Sequence, residues 1–309
     1  MQLRIHLLHK TNTYIKRSTL FAVALILSVT SLATLIAPTA MAYPGQLDQT
    51  FQTNLGSGFD NGIVSITAIQ SDGKILVGGD FTSFNGNTQD HRLIRLNSDG
   101  SKDTTFNLGA TGFDSWGVTC ILIQPDGKII NGGNFVSFNG NAQTRLIRLN
   151  PDGSKDISFD FGGVGFGATS IANIALQKDG KVLAVGGFTS FNGNTQDHRL
   201  IRLNSDGSKD TTFNLGATGF DNNAVYITTL QPDGKVLVGG NFTSFNGQTV
   251  GRLVRLNTSL AQVSSVSSPN PNTTLTKGQT ATITINYDEP ITVDTTNGSP
   301  TLTLNLTDC

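Results

Sequence analysis

Glutamate is all but missing from this chain: of 22 acidic residues in 309, only Glu289 is a glutamate. Methionine (2), tryptophan (1) and cysteine (2) are equally scarce, while glycine reaches 35. A chain with so few strong helix formers and so much glycine, threonine, asparagine and serine disfavours helices, and an all-β protein is expected. Cys120 and Cys309 lie far apart and make no disulfide framework, and neither sits where a lipoprotein anchor would need it. A basic excess is also lacking. Residues 1–42 carry four positive charges and no acid, so the remainder has 17 Lys+Arg against 22 Asp+Glu, a net of −5. That balance excludes the basic face a nucleic-acid binder requires.

What the N-terminus does have is order. Arg4, Lys10, Lys16 and Arg17 precede an apolar stretch from Leu20 to Ile36, which ends at Ala40-Met41-Ala42. Basic, apolar and small-residue regions in that sequence predict a secretory signal peptide over 1–42, cleaved after Ala42. The rival reading is an uncleaved anchor, the chain's one expected contact with a membrane. Either way the remainder is exported, to the cell surface or beyond.

The rest is built on a repeat. Asp72-Gly73-Lys74 recurs at Asp126, Asp179 and Asp233, spacings of 54, 53 and 54. Arg95 recurs at Arg148, Arg202 and Arg255, and Phe84 at Phe138, Phe191 and Phe245. Residues 81–114 and 188–221 are identical and 107 apart, the mark of a duplicated two-repeat unit. Within a repeat, alternation over Ser65–Gln70, an Asp-Gly turn and the return Lys74–Gly79 predict a hairpin. Arg92–Asn97 then reads as a third strand, and a short segment ending at Phe106 as a fourth. A four-stranded antiparallel unit of about 54 residues is the size of a propeller blade and needs neighbours to bury its faces.

The expected architecture is therefore a four-bladed β-propeller over 43–257, or an incomplete ring that pairs with a second chain. Leu47–Phe51 matches Lys102–Phe106, a segment repeat four lacks, so it is expected to complete the last blade and hide its edge. Residues 258–274 read as a linker. Residues 275–309, with alternation over Thr280–Tyr287, read as a partial, truncated immunoglobulin-like domain, because a whole sandwich needs about 100 residues.

The string Ile-Gln-x-Asp-Gly-Lys-Ile-Leu-Val-Gly-Gly-x-Phe, followed by Arg-Leu-x-Arg-Leu-Asn-x-Asp-Gly-x-x-Asp-x-x-Phe, resembles the bacterial delta-60 repeat family over residues 47–257. The pairs Gly78-Gly79, Gly132-Gly133, Gly186-Gly187 and Gly239-Gly240 also resemble kelch repeats, without the kelch Tyr and Trp. The tail is similar to bacterial immunoglobulin-like adhesin domains. The resemblance implies an exported propeller and supplies no catalytic residues.

Candidate sites are few. Asn97, Asp99 and Asp103, with Asn150, Asp152 and Asp156 and with Asn204, Asp206 and Asp210, place oxygens at the close spacing calcium uses. The same residues also suit hairpin turns, which explains them without a metal. Asp90-His91 and Asp197-His198 pair an acid with a histidine, yet strand neighbours point to opposite faces and make no dyad. The Gly-Gly pairs lack the following helix of a phosphate cradle and are expected at bulges or close strand approaches. The in-register phenylalanines are expected between blades. Trp116 and Tyr226, unrepeated and placed before the first strands of blades two and four, are the candidate ligand contacts. The function expected is an exported, non-enzymatic interaction or adhesion scaffold for a protein or glycan, with no cofactor. The alternatives are a calcium-stabilised repeat, or an extracellular hydrolase or lyase working at a central channel.

Overall fold

The computed structural model describes residues 44–109, 111–114, 116–213, 219–221, 224–259, 263–268 and 282–287. The predicted signal segment, residues 1–42, lies outside them. By its contacts the chain divides into residues 1–52 and 53–309, and all the sheets belong to the second unit.

Each repeat forms one antiparallel three-stranded sheet. The first is β1 (Val64–Ile69), β2 (Ile75–Gly79) and β3 (Leu93–Leu96). The second holds β4 (Val118–Ile123), β5 (Ile129–Gly133) and, beyond the two-residue strands β6 (Ser137–Phe138) and β7 (Asn141–Ala142), β8 (Leu146–Leu149). The third follows the short β9 (Phe166–Gly167) with β10 (Ile171–Leu176) and β11 (Val182–Gly186), then the short β12 (Ser190–Phe191) and β13 (Leu200–Leu203). The fourth holds β14 (Val225–Leu230) and β15 (Val236–Gly240), the short β16 (Ser244–Phe245) and β17 (Gln248–Thr249), and β18 (Leu253–Leu256). The Asp-Gly hairpins form as expected: Gly73 takes φ +82°, and Asp72 Oδ1 accepts the Lys74 N–H at 3.1 Å.

The predicted fourth strand shrinks to one bridge in each of the first three repeats: Leu96 with Lys102, Leu149 with Lys155, Leu203 with Lys209. One residue later an aspartate captures the chain, Asp103 Oδ1 accepting the N–H (2.9 Å) and hydroxyl (2.7 Å) of Thr105. The resulting Asx turn ends the pairing. A second correction concerns Leu47–Phe51. It is no strand, because helix α1 (Gln49–Leu55) begins there, capped by Asp48 Oδ1 accepting the N–H groups of Thr50 and Phe51 at 3.0 and 3.1 Å. Arg92 also lies outside its strand, at φ +64° just before β3.

The first strand of every sheet carries a bulge, with register shifts between Val64 and Ile66, Val118 and Cys120, Ile171 and Asn173, and Val225 and Ile227. Glycine faces each bulge because nothing larger fits. A Cβ on Gly79, Gly133, Gly186 or Gly240 would collide with the carbonyl oxygen of Ile63, Gly117, Ser170 or Ala224. The expectation of a bulge at the glycine pairs holds, with one shift of register. In repeat three Gly186 occupies the place of Gly79, so Val185 and not a glycine stands where Gly78 does. Gly78 faces Ile66 across the hairpin, whereas Val185 faces the shorter Asn173, and the two pairs exchange bulk between partners.

The cores lie between sheets. The second strand of each sheet packs on the first strand of the next, β2 on β4, β5 on β10 and β11 on β14. Leu93, Phe113, Val118 and Phe135 join in the first joint, Leu146, Phe166, Ile171 and Phe188 in the second, and Leu200, Phe220, Val225 and Phe242 in the third. Repeated phenylalanines of the second to fourth repeats take part in these joints, with edge-to-face rings such as Phe113 on Phe135 at 4.8 Å, while Phe81 and Phe84 are equally buried against Phe59 within repeat one. A separate hairpin pairs β19 (Val263–Ser267) with β20 (Thr284–Tyr287), so part of the stretch read as a linker is a strand. The remainder of the immunoglobulin-like stretch lies outside the described residues. Among the described residues no helix is long and apolar enough to cross a membrane.

Candidate functional site

Each of the first three repeats buries a charge cluster assembled from three separated positions. Asp103, 4% exposed, accepts Arg95 Nε at 2.7 Å and Lys74 Nζ at 2.8 Å on Oδ2, while Oδ1 holds Thr105. Asp156 with Arg148 and Lys128, and Asp210 with Arg202 and Lys181, repeat the arrangement. Each guanidinium also stacks on a phenylalanine, Phe106, Phe159 or Phe213, at 4.5–4.7 Å. Its Nη1 donates to a carbonyl of the following repeat: Pro151 for Arg95, Ser205 for Arg148, Thr258 for Arg202. Burial alone would raise these carboxyls. The hydrogen bonds and cations around them prevail and hold all three well below the usual aspartate range.

The nine residues weighed as calcium ligands therefore divide into two sets. Asp103, Asp156 and Asp210 point inward at cations. Asp99, Asp152 and Asp206 stay in the exposed turns, each Oδ1 accepting the hydroxyl and N–H of the serine two residues on, as Asp99 does from Ser101 at 2.7 and 2.9 Å. Those bonds lower their carboxyls, the serine hydroxyl foremost. Asn97, Asn150 and Asn204 donate to the same serines. Among the described residues no three His, Cys, Asp or Glu side chains stand together as metal ligands.

The acid and histidine of Asp90-His91 part company. Asp90 grips Lys102 Nζ with both oxygens, at 2.5 and 2.6 Å. The ring nitrogens of His91 face the carbonyls of Thr88 and Phe113, at 2.7 and 3.0 Å, and Asp197-His198 behaves alike. Cys120 is buried, and desolvation pushes its thiol up to about 12, far from a nucleophile's range. The first strands also carry polar side chains. Thr119 Oγ1 donates to Ile171 O at 2.9 Å, and Asn173 Oδ1 accepts the Thr228 N–H at 3.3 Å, so these polar groups bridge neighbouring sheets. Trp116 is exposed just before β4, at φ +84°. Tyr226 does not share that place: it is the bulged residue within β14, exposed, its hydroxyl accepting Asn241 Nδ2 at 3.1 Å. The third sheet stands between the two, and the structure does not bring them together.

A cleft on repeat two went unnoticed in the sequence. Repeat two is one residue shorter, and Gln143-Thr144 replaces Asp90-His91. Lys155, the equivalent of Lys102, thereby loses its carboxylate, and among the described residues nothing replaces it. Thr144 Oγ1 instead donates to Val164 O at 2.8 Å and accepts the Phe166 N–H at 3.0 Å, which holds the Gly-rich loop 160–166 aside. The cleft so formed measures about 510 Å³, against about 200 Å³ at the same position on repeat one. Exposed Ile157 and Val164 make its rim, and Phe159, Phe161 and Asp160 line it. The signal was the 53-residue spacing coinciding with the lost Asp-His pair.

Repeated antiparallel sheets, each packing its second strand on the first strand of the next, define a β-propeller repeat protein. Four segments of the chain, residues 70–106, 124–159, 177–213 and 231–261, match the family described as "Domain of unknown function (DUF5122) beta-propeller". No curated protein matches the chain in sequence. Among solved structures, a protein of unknown function from Bacteroides caccae is similar at 14% identity, covering 65% of this chain and 63% of its own, with a TM-score of 0.36. The extracellular domain of a one-component system of B. thetaiotaomicron (BT4673) is 16% identical over 58% of this chain and 20% of its own, at 0.34. A catalytically inactive virginiamycin B lyase from Staphylococcus aureus is 17% identical over 66% and 58%, also at 0.34. The chain thus spans less than two thirds of each of these structures.

Proposed function

We propose that the chain is an exported, non-enzymatic propeller scaffold that holds a protein or glycan outside the cell, and that the cleft beside Lys155 receives the ligand. One observation carries this reading: repeat two departs from its neighbours where they are strictly alike, and the departure leaves a lysine ammonium without a carboxylate over a cleft with an aliphatic rim. Such a cleft suits a ligand that presents a carboxylate beside an apolar edge, as an acidic peptide or a uronate-bearing glycan does. The basic, apolar and small-residue order of residues 1–42 supports export. Neither alternative has an observation in its favour, since the inward aspartates already hold lysine and arginine, and the histidines bond to carbonyls.

The test is a screen of acidic peptides and uronate oligosaccharides on the purified chain, followed by calorimetry with variants. Lys155→Glu should weaken any bound ligand by tenfold or more, and Lys178→Glu, on an exposed turn of repeat three, should leave it unchanged. Equal effects of the two substitutions, or ligands that ignore both, would overturn the assignment of the cleft.

A further inference from the structure

The three joints between sheets are copies of one another, and each has two complementary halves. One half is a trailing face: the second strand, the leucine that opens the third strand, and the arginine two residues on. The other is a leading face: the β-branched residue at the bulge of the next first strand. Leu93, Leu146 and Leu200 are 1%, 0% and 2% exposed in their joints, and Val118, Ile171 and Val225 are all 0% exposed. The contact is direct. A Cβ on Gly78 would lie 3.0 Å from Val118 Cγ1, and one on Gly132 would lie 2.8 Å from Ile171 Cγ2.

Among the described residues, the four repeat sheets make three joints and leave two half-joints over. On the fourth sheet Leu253 is 60% exposed, and Ile227 beside it is also exposed. A Cβ on Gly239, the counterpart of Gly78, would meet only residues of its own sheet, Ile227, Arg252 and Leu253. On the first sheet Val64, the counterpart of the three fully buried residues, is 43% exposed, and Ile69 is 73% exposed. Arg255 is exposed on β18, whereas Arg95, Arg148 and Arg202 are buried and reach a carbonyl in the following repeat. Counting by the repeat, the carbonyl equivalent to those of Pro151, Ser205 and Thr258 is that of Ser98 on the first sheet. The two uncovered faces are thus the two halves of a joint this molecule makes three times already.

We infer that two copies of the chain associate head to tail, the fourth sheet of one seating the first sheet of the other, with Leu253 on Val64 and Arg255 reaching Ser98 O of the second copy. The occupant is a second copy because the missing half of each face exists, residue for residue, at the other end of the same chain. The contact is heterologous, so two copies satisfy all four half-joints by closing on each other, and further copies add in line where they do not close.

Sedimentation velocity of the purified chain across a concentration series tests this. The chain should sediment as a dimer or larger, and Leu253→Glu and Val64→Glu should each yield monomers with native circular dichroism. Mixed one to one, the two variants should recover a dimer and nothing larger, because one intact joint remains. A chain that stays monomeric at about 100 μM, or variants that assemble as the parent does, would overturn the inference. Substituting Leu253→Cys and Val64→Cys together, in a chain also carrying Cys120→Ser and Cys309→Ser, separates the other occupant. A disulfide between chains supports the second copy; one within a single chain means that the propeller closes on itself and refutes it.

Discussion

Asp156→Asn tests whether the buried charge clusters hold the repeats together. Arg148, with a side chain 6% exposed, gives its Nε to Asp156 at 2.7 Å, and Lys128 Nζ lies 3.0 Å from the same oxygen. An amide at this site keeps one oxygen for Ser158 but turns an N–H2 group toward two cations. A guanidinium then remains inside the protein without its counter-charge, a loss of about 3–5 kcal/mol for a broken buried pair. Because Arg148 also reaches Ser205 O, the damage extends to the joint with the third sheet. With a urea dependence of roughly 2 kcal/mol per molar, the unfolding midpoint by circular dichroism should fall by about 2 M. Asp152→Asn, four residues earlier in the exposed turn, keeps the acceptor that Ser154 uses and should move the midpoint by no more than about 0.3 M, the ±0.5 kcal/mol usual for a surface change. Similar small shifts for both variants would refute the reasoning, since the cluster would then add nothing beyond a turn.

The same three aspartates set an acid limit. Their folded carboxyls titrate below the unfolded value of about 3.9, so their stabilisation is complete above that pH and is lost as pH falls further. The urea midpoint should drop steeply below about pH 4, and Asp156→Asn, which removes one of the three carboxyls, should make that drop shallower; an unchanged slope would count against the clusters. Gly133→Ala should cost about 1–3 kcal/mol through collision with Gly117 O, read as a lower melting temperature. Gly140→Ala, with open space around it, should cost only the strain of φ +74°, about 1 kcal/mol. In a Cys309→Ser chain, Cys120 should react with a thiol reagent only after denaturation, as its buried thiol implies. Melting with EDTA and with calcium should coincide; a calcium-dependent rise would return the Asp-Gly turns to the front.

Local order was plain in the sequence. Alternation and Asp-Gly turns located three strands of every repeat because each signal lies within a dozen residues. The fourth strand failed for an equally local reason: Lys102-Asp103-Thr104-Thr105 alternates no worse than a strand, but Asp103 is short enough to seize the N–H two residues on. Leu47–Phe51 failed with it, since Asp48 makes the same kind of capture and Gln52–Leu55 then continue as helix. The charge cluster was hidden because Lys74, Arg95 and Asp103 stand on separate segments and meet only across the sheet. Its trace was the triple recurrence of that trio, with Val263 where a fourth aspartate would fall. Tyr226 and Trp116 were paired by their position near a strand start, a comparison too coarse to register the one-residue bulge that separates their roles.

The arginine that belongs to one repeat but bonds to the next has a consequence for how such a gene changes length. Because every seam is chemically the same, recombination that inserts or deletes a whole repeat leaves each remaining seam with a complete set of partners, and only a join between non-equivalent positions strands a charge. The 34 identical residues at 81–114 and 188–221 are a ready template for such slippage. Lengthening or shortening by whole units should therefore be tolerated in lineages carrying this chain, and breakpoints should join equivalent positions of two repeats, as exchange between 81–114 and 188–221 would.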